Sequence, residues 1–194
     1  MGFVETAADD VLFRRHKINA ARYYQMAETG VLGPADRVEL IEGELIEMAP
    51  IGDDHAATVD ELNEVLVLAC QERAIVAVQN PIRADSMSVP EPDFAICRLR
   101  ADRYRGGRPG PEDIFAVIEV SDSSLRFDRT VKLKLYARTG VPEYWIVDLK
   151  RRVVEVFRQP DAEGYRALQT FGPQDTVALA MVPDIRISLA RVFG

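Results

Sequence analysis

The chain has 194 residues, of which 47% are hydrophobic and 28% charged. This balance fits one globular domain with a sizeable core and excludes the disordered and fibrous classes. A formal net charge of −7 argues against broad, phosphate-driven affinity for nucleic acid, so any such site must be local.

No apolar run reaches the roughly 18 residues of a membrane span. The start, MGFVETAADDVLF, lacks the basic-then-apolar order of a signal peptide, so a cytoplasmic protein with no membrane partner is expected. Cys70 and Cys97 both sit in apolar segments. They are predicted to be small core residues, not a disulfide or part of a zinc site.

In chain order, residues 18–29 are predicted to form a short helix closed by Gly30, with Tyr23, Met26 and Ala27 on one face. RVELIEGELIEMAP then has β-type runs on each side of Glu42-Gly43, the pattern of a hairpin. Asp53 or Asp54 can cap a helix in which Val59, Leu62, Leu66 and Ala69 recur at helical spacing. AIVAVQ reads as a short buried strand. Pro81, Pro90 and Pro92 then force extended backbone before the next strand, Asp93 to Cys97.

RLRADRYRGGRPG follows as a loop carrying Arg98, Arg100, Arg103, Arg105 and Arg108 against the single acid Asp102. It is either a phosphate-contacting loop or an ordinary solvated charge run. IFAVIEV, residues 114–120, is apolar almost without a break and marks a central strand covered on both faces. Residues 125–139 are predicted as a helix ending at Gly140, followed by strands EYWIVD and, past the Lys150-Arg151 turn, VVEVF. From Gly164 onward the pattern is further short strands and a last turn at LARVF. With no repeat or linker, the expectation is one α/β domain over residues 1–194, a mixed sheet with helices on its faces.

Glu119 is the most informative position, because a carboxylate in a buried apolar strand costs several kcal/mol unless it is paired or coordinates a cation. Period-two alternation places it on a face with Val117 and Phe115. A structural ion pair is the alternative. Asp93, after Pro92 at a strand start, raises the same question more weakly. Two carboxylates at neighbouring strand ends make a hard oxygen site suited to Mg²⁺ or Mn²⁺ plus substrate phosphate. Lys132, spaced i, i+4, i+8 with Asp128 and Tyr136, is the candidate cation beside it, while Leu125, Val131 and Leu135 lie toward another face.

The ordered set ELIEGELIEMAP, His55 opening a helix, VPEPDFAI, VIEVSDSS and DRTVKLKLYARTGVPEYWIVD resembles the Uma-two family of restriction-endonuclease-like proteins across nearly the whole chain. The last segment is the most specific, with Asp128, Lys132, Tyr136, Gly140, Val141, Glu143, Tyr144, Trp145 and Asp148 at the family's spacing. The resemblance implies a PD-(D/E)XK nuclease core in which Pro92-Asp93 stands for "PD" and Glu119-Val120-Ser121 for "(D/E)XK". Ser121 departs from the motif's lysine, which the resemblance relocates to Lys132. It also implies Asp93, Glu119 and the Val120 carbonyl as ligands of Mg²⁺ or Mn²⁺.

Glu42 and His55 match family positions as accessory site residues, each with a structural alternative: an exposed turn glutamate and a hydrogen-bonded core histidine. Tyr144 and Trp145 are expected as core aromatics on opposite faces. The expected activity is metal-dependent endonucleolytic cleavage of nucleic acid, DNA first, by a homodimer. Arg98, Arg100, Arg103, Arg105 and Arg129, with Arg126, Lys134 and Arg138, would meet the phosphate backbone. Two rivals remain: an inactive nuclease fold kept as a binding or assembly module, and a hydrolase of small phosphoesters.

Overall fold

A computed structural model describes residues 15–33 and 35–193. The N-terminal stretch judged above for a signal peptide lies outside them. The chain forms α1 (Ala20–Glu28), the hairpin β1 (Val38–Ile41) and β2 (Glu44–Glu47), α2 (Asp53–Cys70), and strands β3 (Ile75–Val78), β4 (Phe94–Cys97) and β5 (Ile114–Ser121). A third helix over residues 125–138 leads to β6 (Glu143–Asp148), β7 (Val153–Pro160) and β8 (Tyr165–Phe171), and a last pair, β9 (Thr176–Ala178) and β10 (Arg186–Ser188), closes the chain.

Six strands make one sheet in the order β3-β4-β5-β6-β7-β8. Every neighbour pair is antiparallel except β5 and β6. A parallel pair needs a crossover, and the third helix is that crossover. The expected mixed sheet is therefore present, with helices packed on its faces.

One face carries α2. Val59, Leu62, Leu66 and Cys70 recur at helical spacing and pack with Phe94, Ile96, Ile118, Val120, Trp145 and Val147. Each such aliphatic burial contributes roughly 1.5–3 kcal/mol. Residues of the β9–β10 pair and the C-terminal turn, among them Val177, Ile187 and Phe193, complete this layer. The other face meets the third helix through Ala95, Val117, Tyr136, Val141, Tyr144 and Ile146. Tyr144 and Trp145 thus lie on opposite faces. Cys70 and Cys97 are buried and free, with burial pushing their thiols up to about 11 and about 12.

Four local readings need correction. The α2 N-cap is Gly52, without a side-chain bond, while Asp53 and Asp54 lie in the first turn, where their charge suits the helix dipole. Phe115 does not share a face with Val117. The β4–β5 register shifts so that Ile96 opposes Ala116 and Cys97 opposes Ile114, and the extra residue of this bulge, Phe115, packs with the α2 layer.

The third helix is not uniformly α-helical. It is α over Leu125–Phe127, π over Asp128–Lys132 and α again over Leu133–Arg138. In a plain α-helix each four-residue step drifts by about 40°. The wider π turn takes back part of that drift, so Asp128, Lys132 and Tyr136 stay on one buried face. Finally, β8 is longer than the short strands expected from Gly164 onward, reaching seven residues.

Candidate functional site

At one end of the sheet a cleft of about 260 Å³ opens between the β1–β2 hairpin, the start of α2, the β4 and β5 ends and the third helix. Asp93, Glu119, Val120, His55 and Lys132 all line it. Their convergence follows from the register. Phe94 pairs with Ile118, so Asp93, one step before β4, stands across from Glu119 on the antiparallel neighbour.

Asp93 is fixed from several sides. Its Oδ2 accepts the Val120 main-chain N–H at 2.8 Å and lies 3.2 Å from His55 Nε2, and its Oδ1 accepts from Gln79 Nε2 at 3.3 Å. Burial pushes the Asp93 carboxyl up, but the His55 hydrogen bond and charge, the Val120 amide and Gln79 outweigh it and hold the group below its usual range.

Glu119 is 4% exposed. Its Oε1 accepts from Lys132 Nζ and from the Tyr136 hydroxyl, each at 2.9 Å. Burial drives this carboxyl well above the usual range; Lys132 opposes the shift, while Asp128, Asp93 and Glu39 add to it. Lys132, 6% exposed, also lies 3.3 Å from Glu39 Oε2. Burial disfavours its ammonium, but Glu119, Glu39 and Asp128 more than restore it, and its affinity for the proton is raised.

Ser121, at the position where the general motif has lysine, donates its hydroxyl to Asp128 Oδ2 at 2.6 Å, as Ser124 also does. Ser121 thus holds Asp128, and the lysine of this cleft comes from the helix.

Other sequence candidates lie elsewhere. Glu42 is not among the cleft residues; it stands in the hairpin turn and pairs with Arg138. Arg129 turns inward, to Glu155 at 2.7 Å and Asp148 at 3.0 Å. Arg98 donates to the Glu112 carbonyl and covers the Phe115 ring, and Arg100 pairs with Asp102. The arginine loop joins the end of β4 to the start of β5, whereas Asp93 and Glu119 lie at the opposite ends of those strands. Arg103 and Arg105 are exposed at that far end, as Arg126 and Lys134 are on the third helix. Arg108 covers the Tyr24 ring at 5.6 Å and is not among the cleft residues.

Sequence reasoning did not single out Glu39, which is 3% exposed. The signal was there: Glu39 is an acid between Val38 and Leu40, the same kind of interruption that marked Glu119. Gln79 and Glu91, also in the cleft, left no such mark.

Among the described residues no three His, Cys, Asp or Glu side chains already converge as a metal cage. Mg²⁺ does not require one, since it usually keeps waters and binds through one or two carboxylates plus substrate phosphate. The donor set fits a hard cation. Carboxylates outnumber cationic side chains around the cleft, and Asp128, Asp93 and Glu39 add to the upward shift that burial gives Glu119.

A mixed α/β domain with a central mixed sheet, flanking helices and paired acids at adjacent strand ends places the protein in the restriction-endonuclease-like class. The profile of the Uma2 family, described as "Putative restriction endonuclease", matches residues 20–190. The chain belongs to this family, as the resemblance in its motifs implied. A solved structure of a "putative nuclease belonging to DUF820" from Anabaena variabilis ATCC 29413 is similar, with a TM-score of 0.68 and 18% sequence identity, covering 91% of this chain and 97% of that one. At that identity the likeness is one of fold. No curated protein matches the chain. Among the described residues no helix is long and apolar enough to cross a membrane.

Proposed function

We propose that the protein is a Mg²⁺- or Mn²⁺-dependent endonuclease that hydrolyses phosphodiester bonds of nucleic acid, DNA first, in the cytoplasm. The observation that carries this reading is the meeting of Asp93, Glu119 and Lys132 in one cleft, in a chain of the Uma2 family. Asp93 and Glu119 would hold the cation, with the Val120 carbonyl as a further oxygen donor. When bound, the cation supplies Lewis-acid stabilisation of phosphoryl oxygens and lowers the pKa of water.

The chain's own groups do the rest. The Val120 amide and His55 hold the Asp93 carboxylate in one orientation. Lys132, held at the cleft wall by buried carboxylates, would offer its ammonium to the charge that builds on the phosphoryl group and orient the attacking water. A homodimer, one site for each strand, belongs to the same reading.

The test is cleavage of supercoiled plasmid and of branched and single-stranded oligonucleotides with Mg²⁺ or Mn²⁺. Metal-dependent cutting is expected, reduced by roughly 100-fold or more in Glu119→Ala. Asp93→Ala should lose metal binding together with cleavage, and Lys132→Met should lose cleavage while still binding metal. If no substrate is cut and calorimetry detects no metal binding, the fold serves instead as a binding or assembly module.

A further inference from the structure

We propose that Glu39 is a positioning residue, the seat that takes the Lys132 ammonium when Glu119 turns to a divalent cation. The proposal rests on the reading of Glu119 as a metal ligand.

The geometry gives Lys132 two buried carboxylates. Its Nζ is 2.9 Å from Glu119 Oε1 and 3.3 Å from Glu39 Oε2. A divalent cation on Glu119 would place two positive groups on one carboxylate, and their repulsion displaces the weaker-held ammonium. The ammonium cannot simply be left alone, because Lys132 is 6% exposed and a buried charge needs a partner. Asp128 makes no ion pair with Lys132, whose two carboxylate partners are Glu119 and Glu39, and its Oδ2 accepts from the Ser121 and Ser124 hydroxyls. Glu39 is within reach, and it is held in place: Oε2 also accepts the Glu91 main-chain N–H at 3.1 Å, and β1 fixes its backbone against β2. A move of Lys132 from Glu119 toward Glu39 keeps the ammonium paired and at the cleft wall. An acid that served only to balance buried charge would leave Lys132 where it is when metal binds.

The test is a crystal structure of the wild-type protein soaked with Mn²⁺, together with calorimetric Mn²⁺ titration of wild type and Glu39→Gln. The glutamine keeps an acceptor for the Glu91 amide. The expected result is Mn²⁺ on Glu119 with Lys132 Nζ released from Glu119 Oε1 and within about 3 Å of Glu39. Mn²⁺ binding by Glu39→Gln should be weaker by about 10- to 100-fold, the usual effect of removing a group that supports a ligand shell. Mn²⁺ bound with the ammonium still on Glu119, Mn²⁺ coordinated by Glu39 itself, or equal affinity in the variant would each overturn the proposal. Failure of the wild type to bind Mn²⁺ would overturn the metal reading, and this proposal with it. The wild-type crystal decides the matter even if Glu39→Gln does not fold.

Discussion

The His55 ring is held above its usual range chiefly by the hydrogen bond to Asp93, against burial, which pulls the other way. A raised histidine contributes stability that is complete below its ordinary value of about 6.5 and is lost as pH rises through the folded value. Asp93, held low, contributes stability present above its ordinary value and lost as pH falls through the folded one. The pair therefore stabilises most between those two ordinary values. In urea unfolding at pH 6 and pH 9, wild type should lose about 1–2 kcal/mol that His55→Gln never had. A gap between the two proteins that stays constant with pH would mean the pair does not titrate as an ion pair. A second buried acid has a purely structural task. Glu143 accepts from Trp145 Nε1 at 2.6 Å, the Ala180 amide at 2.8 Å and Arg158 at 3.1 Å. Glu143→Ala strands all three donors and is expected to cost about 3–5 kcal/mol, readable by thermal unfolding followed through Trp145, the sole tryptophan. At this scale the legible signal is an acid interrupting an apolar run. It identified Glu119 and was equally present at Glu39. It could not separate the roles of Glu119, Glu143 and Glu155, because whether a buried acid faces a cleft or a structural arginine is decided by the neighbouring strand.

Among the elements, the β1–β2 hairpin walls the cleft with Glu39, Ile46 and Glu47, and its shape depends on the Glu42-Gly43 turn. Gly43 has φ +81, and a Cβ there would stand 2.7 Å from Lys17 Cβ and 2.8 Å from Met87 Cε. Gly43→Ala is accordingly expected to cost about 1–3 kcal/mol in backbone strain before the crowding is counted, and to weaken metal binding by shifting Glu39. Unfolding midpoints and calorimetry check both effects. Hairpin, helix and strand positions were legible because each follows from a local period or turn residue. The π turn at Asp128–Lys132 and the bulge at Phe115 were not. Each adds one residue to a repeating pattern, and its effect appears only where the element meets its neighbour: Asp128, Lys132 and Tyr136 against the sheet, Phe115 against α2.

For the molecule as a whole, the arginine loop and the acidic cleft occupy opposite ends of β4 and β5. Glu119 lies five residue steps beyond Ile114, about 17 Å of strand. An Arg103→Ala/Arg105→Ala double variant should leave Mn²⁺ affinity and cleavage of short oligonucleotides unchanged, while binding of long duplexes weakens and loses part of its salt dependence. A filter-binding series in increasing NaCl measures the slope. The order of apolar strands and helices made the fold class legible, but net charge could not say where the positive side chains lie, and Arg129, counted as a surface contact from sequence, is spent on Asp148 and Glu155. The strand order also bears on how the chain assembles. From β3 to β8 each strand lies beside the one that precedes it in sequence, so no strand has to be threaded between two that are already joined. The sheet can grow outward one neighbour at a time, with the β6–β7–β8 meander as the most local start and the β5–β6 crossover as a slower closure. The cleft, which draws on the hairpin, α2, β4, β5 and the third helix, is then among the last parts of the protein to form.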